Sequence, residues 1–205
     1  MPLLMIFTET LTSTLDVGFI LPTSFTRYMN RVTANTLLLA LSVTAISLLV
    51  GVPAGFFLAR LKPKIASIFL VFLTVPLASP SLVSAIMVRS LFERTGFLYL
   101  SLAQLGFTLP SAYGFFGLAV TQLLHTIPYT ILLVRAGFLA IPNSIEEAAL
   151  SLGAGPFTVF CKVLIPFIFP HILTACTMML LYSLGDLGAP IVLGGPYKVF
   201  LQRYM

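Results

Sequence analysis

The chain has 205 residues, 59% of them hydrophobic and 8% charged, with a net charge of +5 and a mean hydropathy of +1.07. Soluble domains carry about 25% charged residues, so this composition excludes a water-exposed globule and sets the apolar excess against membrane lipid. The basic residues stand at the ends of apolar runs rather than in one patch, which argues for membrane flanks and against nucleic acid.

Residues 1–31 read as an extramembrane segment. Met1–Phe7 is apolar but too short to span, and the remainder is rich in Thr and Ser, with Asp16, Arg27 and Arg31. No basic run precedes the first apolar residues and Glu9 interrupts them, so no cleavable signal is read there. Residues 33–59 form the first expected span; they carry no charge, and about 20 apolar residues suffice to cross the hydrocarbon. Pro53 is expected to kink its end. Arg60, Lys62 and Lys64 then make a dense basic turn. Residues 65–88 form the second span, closed by Arg89, Glu93 and Arg94. Pro76 and Pro80 force that span to bend or break, because proline removes a backbone donor. Such a break suits a pore-lining element or a bent packing helix. A loop with a short interfacial helix around 98–105 follows. Residues 112–134 form the third span, with Gln122, His125 and Pro128 inside it and Arg135 at its end. Residues 141–163 are polar enough to leave the membrane. Residues 163–184 form the fourth span, expected to be interrupted by Pro166, Pro170 and His171 near its start. The expected fold is an all-α, polytopic transmembrane helix bundle of about four spans, built from a single domain over 32–205.

The polar residues inside the spans are few. Gln122 and His125 lie three apart on one helix face and suit either a polar path or an inter-helix hydrogen bond. Asp186, at the end of the fourth span, reads either as a solvated helix-end carboxylate or as a contact for a solute. Arg89 and Arg135 read as interfacial. Cys161 and Cys176 read as two unpaired thiols. The spans contain no paired carboxylates, no metal-ligand spacing and no Ser/His arrangement, which argues against an intramembrane enzyme, a secondary transporter or a metal site. The run GAGPF lacks the Lys and Ser/Thr of a phosphate-binding loop, so no ATP site is read in this chain. Counting basic residues on alternate sides gives Arg60, Lys62, Lys64, Arg135 and Lys162 against Arg27, Arg31, Arg89, Arg94, Lys198 and Arg203. That balance leaves orientation open.

The most informative stretch is IPNSIEEAALSLGAGPFTVFCKVLIPFIFP, Ile141–Pro170. Asn143 or Ser144 is placed to cap a helix whose first turn carries Glu146 and Glu147, as the helix dipole prefers. Ile145, Ala148, Ala149 and Leu152 share one face. Gly153 stops the helix, Gly155–Pro156 redirects the chain, and Phe157–Val163 returns to the membrane. The product is a short helix–turn–helix projecting from the bilayer, with small residues, carboxylates and an aromatic, Phe157. An ordinary amphipathic interfacial helix explains Ile145–Leu152 but not the glycine turn.

This segment resembles the EAA loop of binding-protein-dependent ABC importer permeases: Glu147-Ala148-Ala149, then Gly153, then Val163, Ile165 and Pro166 at the family's spacing. Val163 and Ile165 are conservative departures. The runs Asn35–Arg60, Val75–Arg89 and Leu124–Ile141 are similar to the family's core helices, and Leu184–Pro196 resembles the matching region of ferric iron and polyamine permeases. The resemblance implies a coupling helix seated in a groove of a cytoplasmic ATPase dimer, with ATP bound by that partner. Glu147 would make the polar contact, Ala148 and Ala149 the close packing, Gly153 the turn, and Phe157 a knob in the groove; Pro166 closes the motif. It also implies a second permease domain, an extracytoplasmic solute-binding protein and an inner-membrane location, with Gln122, His125 and Asp186 as candidates for the translocation path. Family permeases have at least five core helices. The expectation is therefore a partial permease core, functional within a larger whole or else a truncated, non-transporting remnant.

Overall fold

The computed structural model describes residues 23–93, 96–106 and 110–194, and all of its regular structure there is helical. The extramembrane reading of residues 1–22 and the basic tail with Lys198 and Arg203 lie outside the described residues.

Helix α1 runs Thr23–Arg60. It starts within the stretch expected to lie outside the membrane, and from Asn30 onward it is long and apolar enough to cross one. Pro53 lies inside it without ending it. α1 packs along α5 (Phe115–Leu139), and the sequence shows why this pair sits close. Gly51 and Gly55, four residues apart, face Thr130 and Val134 of α5. Small residues at such a seam let two backbones approach, which is how helices associate where lipid supplies no hydrophobic drive. The buried hydroxyls of Ser47 and Thr126 hydrogen-bond across the same seam at 2.6 Å.

The second expected span breaks, as its prolines led us to expect. Residues 65–88 are not one helix but two, α2 (Pro63–Ala78) and α3 (Ser81–Phe92), bent by 98° at Ser79–Pro80. Pro80 has no N–H to continue the ladder and holds the preceding residue extended; Ser79 accordingly sits at φ −89°, ψ 138°. Pro76 stays within α2. At about 1.5 Å per residue α2 is about 24 Å long, short of the hydrocarbon thickness of about 30 Å. The described residues hold three helices long and apolar enough to cross a membrane, Asn30–Arg60, Phe115–Leu139 and Pro156–Gly185, and a fourth span if the bent pair counts as one.

α4 (Phe97–Gln104) occupies the place of the short interfacial helix. α5 begins after Gly114, whose φ of +85° turns the chain into it, and it runs past the expected end at 134 to Leu139. Beyond it come α6 (Asn143–Ser151), α7 (Pro156–Val159), a π-turn at Phe160–Leu164, α8 (Ile165–Gly185) and α9 (Gly188–Leu193). The continuous helix that holds the last candidate span thus starts at Pro156, ahead of the expected span at 163–184. Pro166 and Pro170 do not interrupt it. The N–H of Ile165 bonds to Phe160 O, five residues back, and the wider turn absorbs the ring that would press on the carbonyl of Lys162.

Three cores form among the described residues. One, formed by Leu39, Val43, Val88, Leu118 and Leu193, joins α1, α3, α5 and α9. A second, formed by Val134, Phe138, Val159, Leu164 and Ile168, joins α5 to the segment after α6. A third, formed by Leu58, Ala66 and Ile131, joins α1, α2 and α5.

Candidate functional site

Two features stand out, one at each end of α5. The first is a foot made of α6 and α7. α6 carries Glu146 in its first turn, and its N-cap is Pro142 with no side-chain cap bond; neither Asn143 nor Ser144 caps it, because proline already presets the extended backbone a cap requires. The C-terminus is closed by backbone alone. Gly153 N–H bonds to Leu150 O at 2.9 Å and Ala154 N–H to Ala149 O at 3.2 Å, with Gly153 at φ +83°. This is a Schellman closure, and its left-handed position favours glycine.

The expected single face of Ile145, Ala148, Ala149 and Leu152 divides. Ile145 and Ala149 are half-buried against the bundle, whereas Glu147, Ala148 and Leu152 are exposed. Leu152 is 88% exposed and Phe157 79%. Leu152 lies outside the candidate spans, and Phe157 is the second residue of the last one. The foot is fixed to the bundle by contacts that sequence reading did not assign. Glu146 forms an ion pair with Arg60 at the end of α1. Phe56 meets Phe138 and Phe160 at ring-centroid distances of 5.1 and 4.9 Å. Arg60 also lies over the Phe56 ring, 4.9 Å from its centroid. Pro166 is not on the foot surface; it opens α8 just beyond the π-turn.

The second feature is a polar cluster toward the other end. Gln122 and His125 on α5 point into the bundle and are buried. Gln122 donates to Ser183 O at 3.3 Å and to Asp186 Oδ2 at 3.5 Å, and its Oε1 accepts from Ser183 Oγ at 2.6 Å. Asp186 Oδ1 accepts from Ser81 Oγ at 2.6 Å and from Gly188 N–H at 3.1 Å. Asp186 is 7% exposed, so the solvated-carboxylate reading is overturned: its carboxylate ties the first residue of α3 to the start of α9. His125 Nε2 lies 3.0 Å from Ser84 Oγ, which in turn lies 3.0 Å from Ser79 Oγ. Ser79 Oγ also donates to Pro76 O at 2.8 Å, so one of these serines pairs backbone freed at the break, as irregular backbone in lipid requires.

Beside this cluster lies a cavity of about 830 Å³, walled by Ser79, Pro80 and Ser81 at the break, by His125, Tyr129 and Leu133 on α5, and by Met178, Tyr182 and Asp186 at the end of α8. Of the three residues singled out by sequence, His125 and Asp186 line it and Gln122 stands behind Asp186. Tyr129 and Tyr182 were not anticipated; tyrosines inside apolar helices give no signal without a partner. Cys161 is exposed and Cys176 half-buried, and both are free thiols. Among the described residues no group of three His, Cys, Asp or Glu gathers to hold a metal.

The profile of the binding-protein-dependent transport system inner membrane component family matches residues 51–203. The ferric transport system permease protein FbpB of Actinobacillus pleuropneumoniae is 29% identical over 178 residues, covering 86% of this chain and 26% of the relative. The molybdate/tungstate transport system permease protein WtpB of Thermococcus kodakarensis is 28% identical over 177 residues, covering 86% of this chain and 66% of the relative. The chain therefore spans about a quarter of the ferric permease and about two thirds of the molybdate/tungstate one. Among solved structures, an inward-facing MetNI methionine ABC transporter chain superposes with a TM-score of 0.67 at 20% identity, over 85% of this chain and 79% of that one, which establishes the shared helical fold. With the family profile lying over the bent pair, the foot and the last span together, this chain belongs to the binding-protein-dependent transport system inner membrane components, the permeases of ABC importers.

Proposed function

We propose that this chain is a permease subunit of an ATP-driven solute importer in the cell inner membrane, and that α6–α7 is the coupling foot that meets a cytoplasmic ATPase dimer. The observation that carries this reading is the foot itself. Leu152 and Phe157 are large apolar side chains left bare at a membrane end, on an element closed by a Schellman turn and pinned by Glu146–Arg60. Bare apolar anchors on a rigid mount suit a partner's groove. Glu147, exposed beside them, supplies the polar contact, Ala148 permits close approach, and Ala149 packs the foot inward.

In this reading the chain performs no chemistry. ATP is hydrolysed on the partner, a second permease domain completes the pathway, and an extracytoplasmic binding protein delivers solute. Closure of the ATPase dimer moves the foot, and the Phe56–Phe138–Phe160 cluster passes that movement to α1, α5 and α8. The cavity at the Ser79–Pro80 break, with His125 and Asp186 in its wall and Gln122 behind, belongs to the solute path. The test is co-purification with the ATPase subunit from membranes. Glu147→Lys and Gly153→Pro should each weaken capture at least several-fold while the protein stays in the membrane; capture unchanged in both sinks the assignment.

A further inference from the structure

Pro80 leaves one carbonyl of α2 without its helical donor. Pro76 O, four residues back, is the acceptor that an N–H at position 80 serves in an unbroken helix, and proline has none. Ser79 takes that place: its N–H nitrogen lies 3.3 Å and its Oγ 2.8 Å from Pro76 O. Two more polar groups stand in line behind it. Ser84 Oγ is 3.0 Å from Ser79 Oγ, and His125 Nε2 is 3.0 Å from Ser84 Oγ. A carbonyl only accepts, and each hydroxyl has one hydrogen to give, so the direction of the line is fixed. Ser79 gives its hydrogen to Pro76 O and accepts from Ser84; Ser84 in turn accepts from His125. Nε2 therefore carries a proton. In the reverse direction, with Ser84 donating to the ring, the two serine oxygens would face each other at 3.0 Å with no hydrogen between them. Ser84 and His125 are both buried, where a broken link is costly. The Tyr182 ring lies beside the imidazole, 5.8 Å between centroids. Asp186, the carboxylate in the same cavity wall, is engaged by Ser81, Gly188 and Gln122, which leaves the Nε2–H to Ser84.

We propose that His125 is a positioning residue: its Nε2–H heads a one-way relay, from His125 to Ser84 to Ser79 to Pro76 O, that staples α5 to both sides of the break and fixes the angle at which α2 meets α3. The relay occupies Nε2, so His125 shapes the cavity wall rather than holding solute through that atom. α5 carries His125 at the break and Phe138 at the foot, so movement of the foot reaches the broken span through one helix. That last step rests on the reading of the chain as a permease coupled at its foot; the relay itself does not.

The experiment compares His125→Gln with His125→Leu in the full chain in lipid nanodiscs, with spin labels at positions 68 and 91 and both native cysteines replaced. Glutamine carries an amide N–H close to where Nε2 stands; leucine keeps apolar bulk and donates nothing. His125→Leu should broaden the distance distribution across the break and shift its maximum, Ser84→Ala should do the same, and His125→Gln should restore the parent distribution. Nitrogen-15 spectra of the parent free of spin labels, with His171→Gln identifying the signals of the other histidine, should show Nε2 of His125 protonated. An unprotonated Nε2 overturns the proposal, as does a distribution unchanged by either His125→Leu or Ser84→Ala. Equal broadening by His125→Gln and His125→Leu assigns the role to ring packing on Tyr182 and overturns the donor role. ATPase capture is measured on the same preparations. A relay without capture removes the coupling reading alone; capture without a relay removes this inference alone.

Discussion

At the residue scale, the bundle depends on a few polar side chains whose partners are far away in sequence. Gln122 joins α5 to Ser183 and Asp186, across sequence separations of 61 and 64 residues. Gln122→Leu removes the amide that donates to Ser183 O and to Asp186 Oδ2, leaving Asp186 short of a donor. An unsatisfied buried polar group costs about 1–3 kcal/mol, so thermal unfolding in detergent should show a lower midpoint, and a midpoint equal to the parent's would mean the network is dispensable. Gly153→Ala places a Cβ at a φ of +83°, a conformation that costs an L-residue about 1–2 kcal/mol. It should loosen the foot, read as faster proteolysis between α6 and α7, without lowering the global unfolding midpoint. Gln122 and His125 were legible in the sequence because polar residues three apart in an apolar helix are rare enough to notice. The burial of Asp186 was not, since Ser81, its closest partner, lies 105 residues away and nothing local to Gly185–Asp186 announces it. The Arg60–Glu146 pair was hidden for the same reason, at a separation of 86 residues.

At the element scale, proline position decides more than proline count. Pro53 and Pro128 lie inside α1 and α5, Pro166 is absorbed by a π-turn, and only the Ser79–Pro80 step turns the chain through 98°. Sequence reading located the disturbed spans but not which proline breaks them, because that depends on whether neighbouring side chains can pair the freed backbone. At Ser79 they do: its hydroxyl bonds to Pro76 O at 2.8 Å and to Ser84 Oγ at 3.0 Å. Replacing Ser79 and Pro80 together by alanine should relax the bend. Spin labels at positions 68 and 91, in a background with both native cysteines replaced, should move apart as the pair straightens; an unchanged distance would show that α9 packing, not proline, holds the angle. The foot was legible almost whole, because its glycine turn and carboxylates are local in sequence. Its cap was misread: Pro142 takes the position that Asn143 or Ser144 was expected to hold.

At the scale of the whole molecule, composition alone established a membrane bundle, whereas charge counting left its orientation undecided. The Arg60–Glu146 contact puts the basic turn and the foot at the same end, so locating either one locates both. The native thiols offer a direct check. Cys161 is exposed near the Pro156 end of the last span, beside the foot, and Cys176 lies deeper within that span. An impermeant maleimide should label Cys161 only in inverted vesicles and leave Cys176 unmodified in both orientations; labelling of Cys161 from the outside of intact cells would reverse the topology. The central claim is that the foot seats in an ATP-hydrolysing partner, and a photo-crosslinking amino acid at position 152, with a control at the exposed Leu49 of α1, tests it most directly in native membranes. The account predicts an adduct with an ATPase subunit from position 152 and none from position 49; adducts with lipid alone from both positions would contradict it.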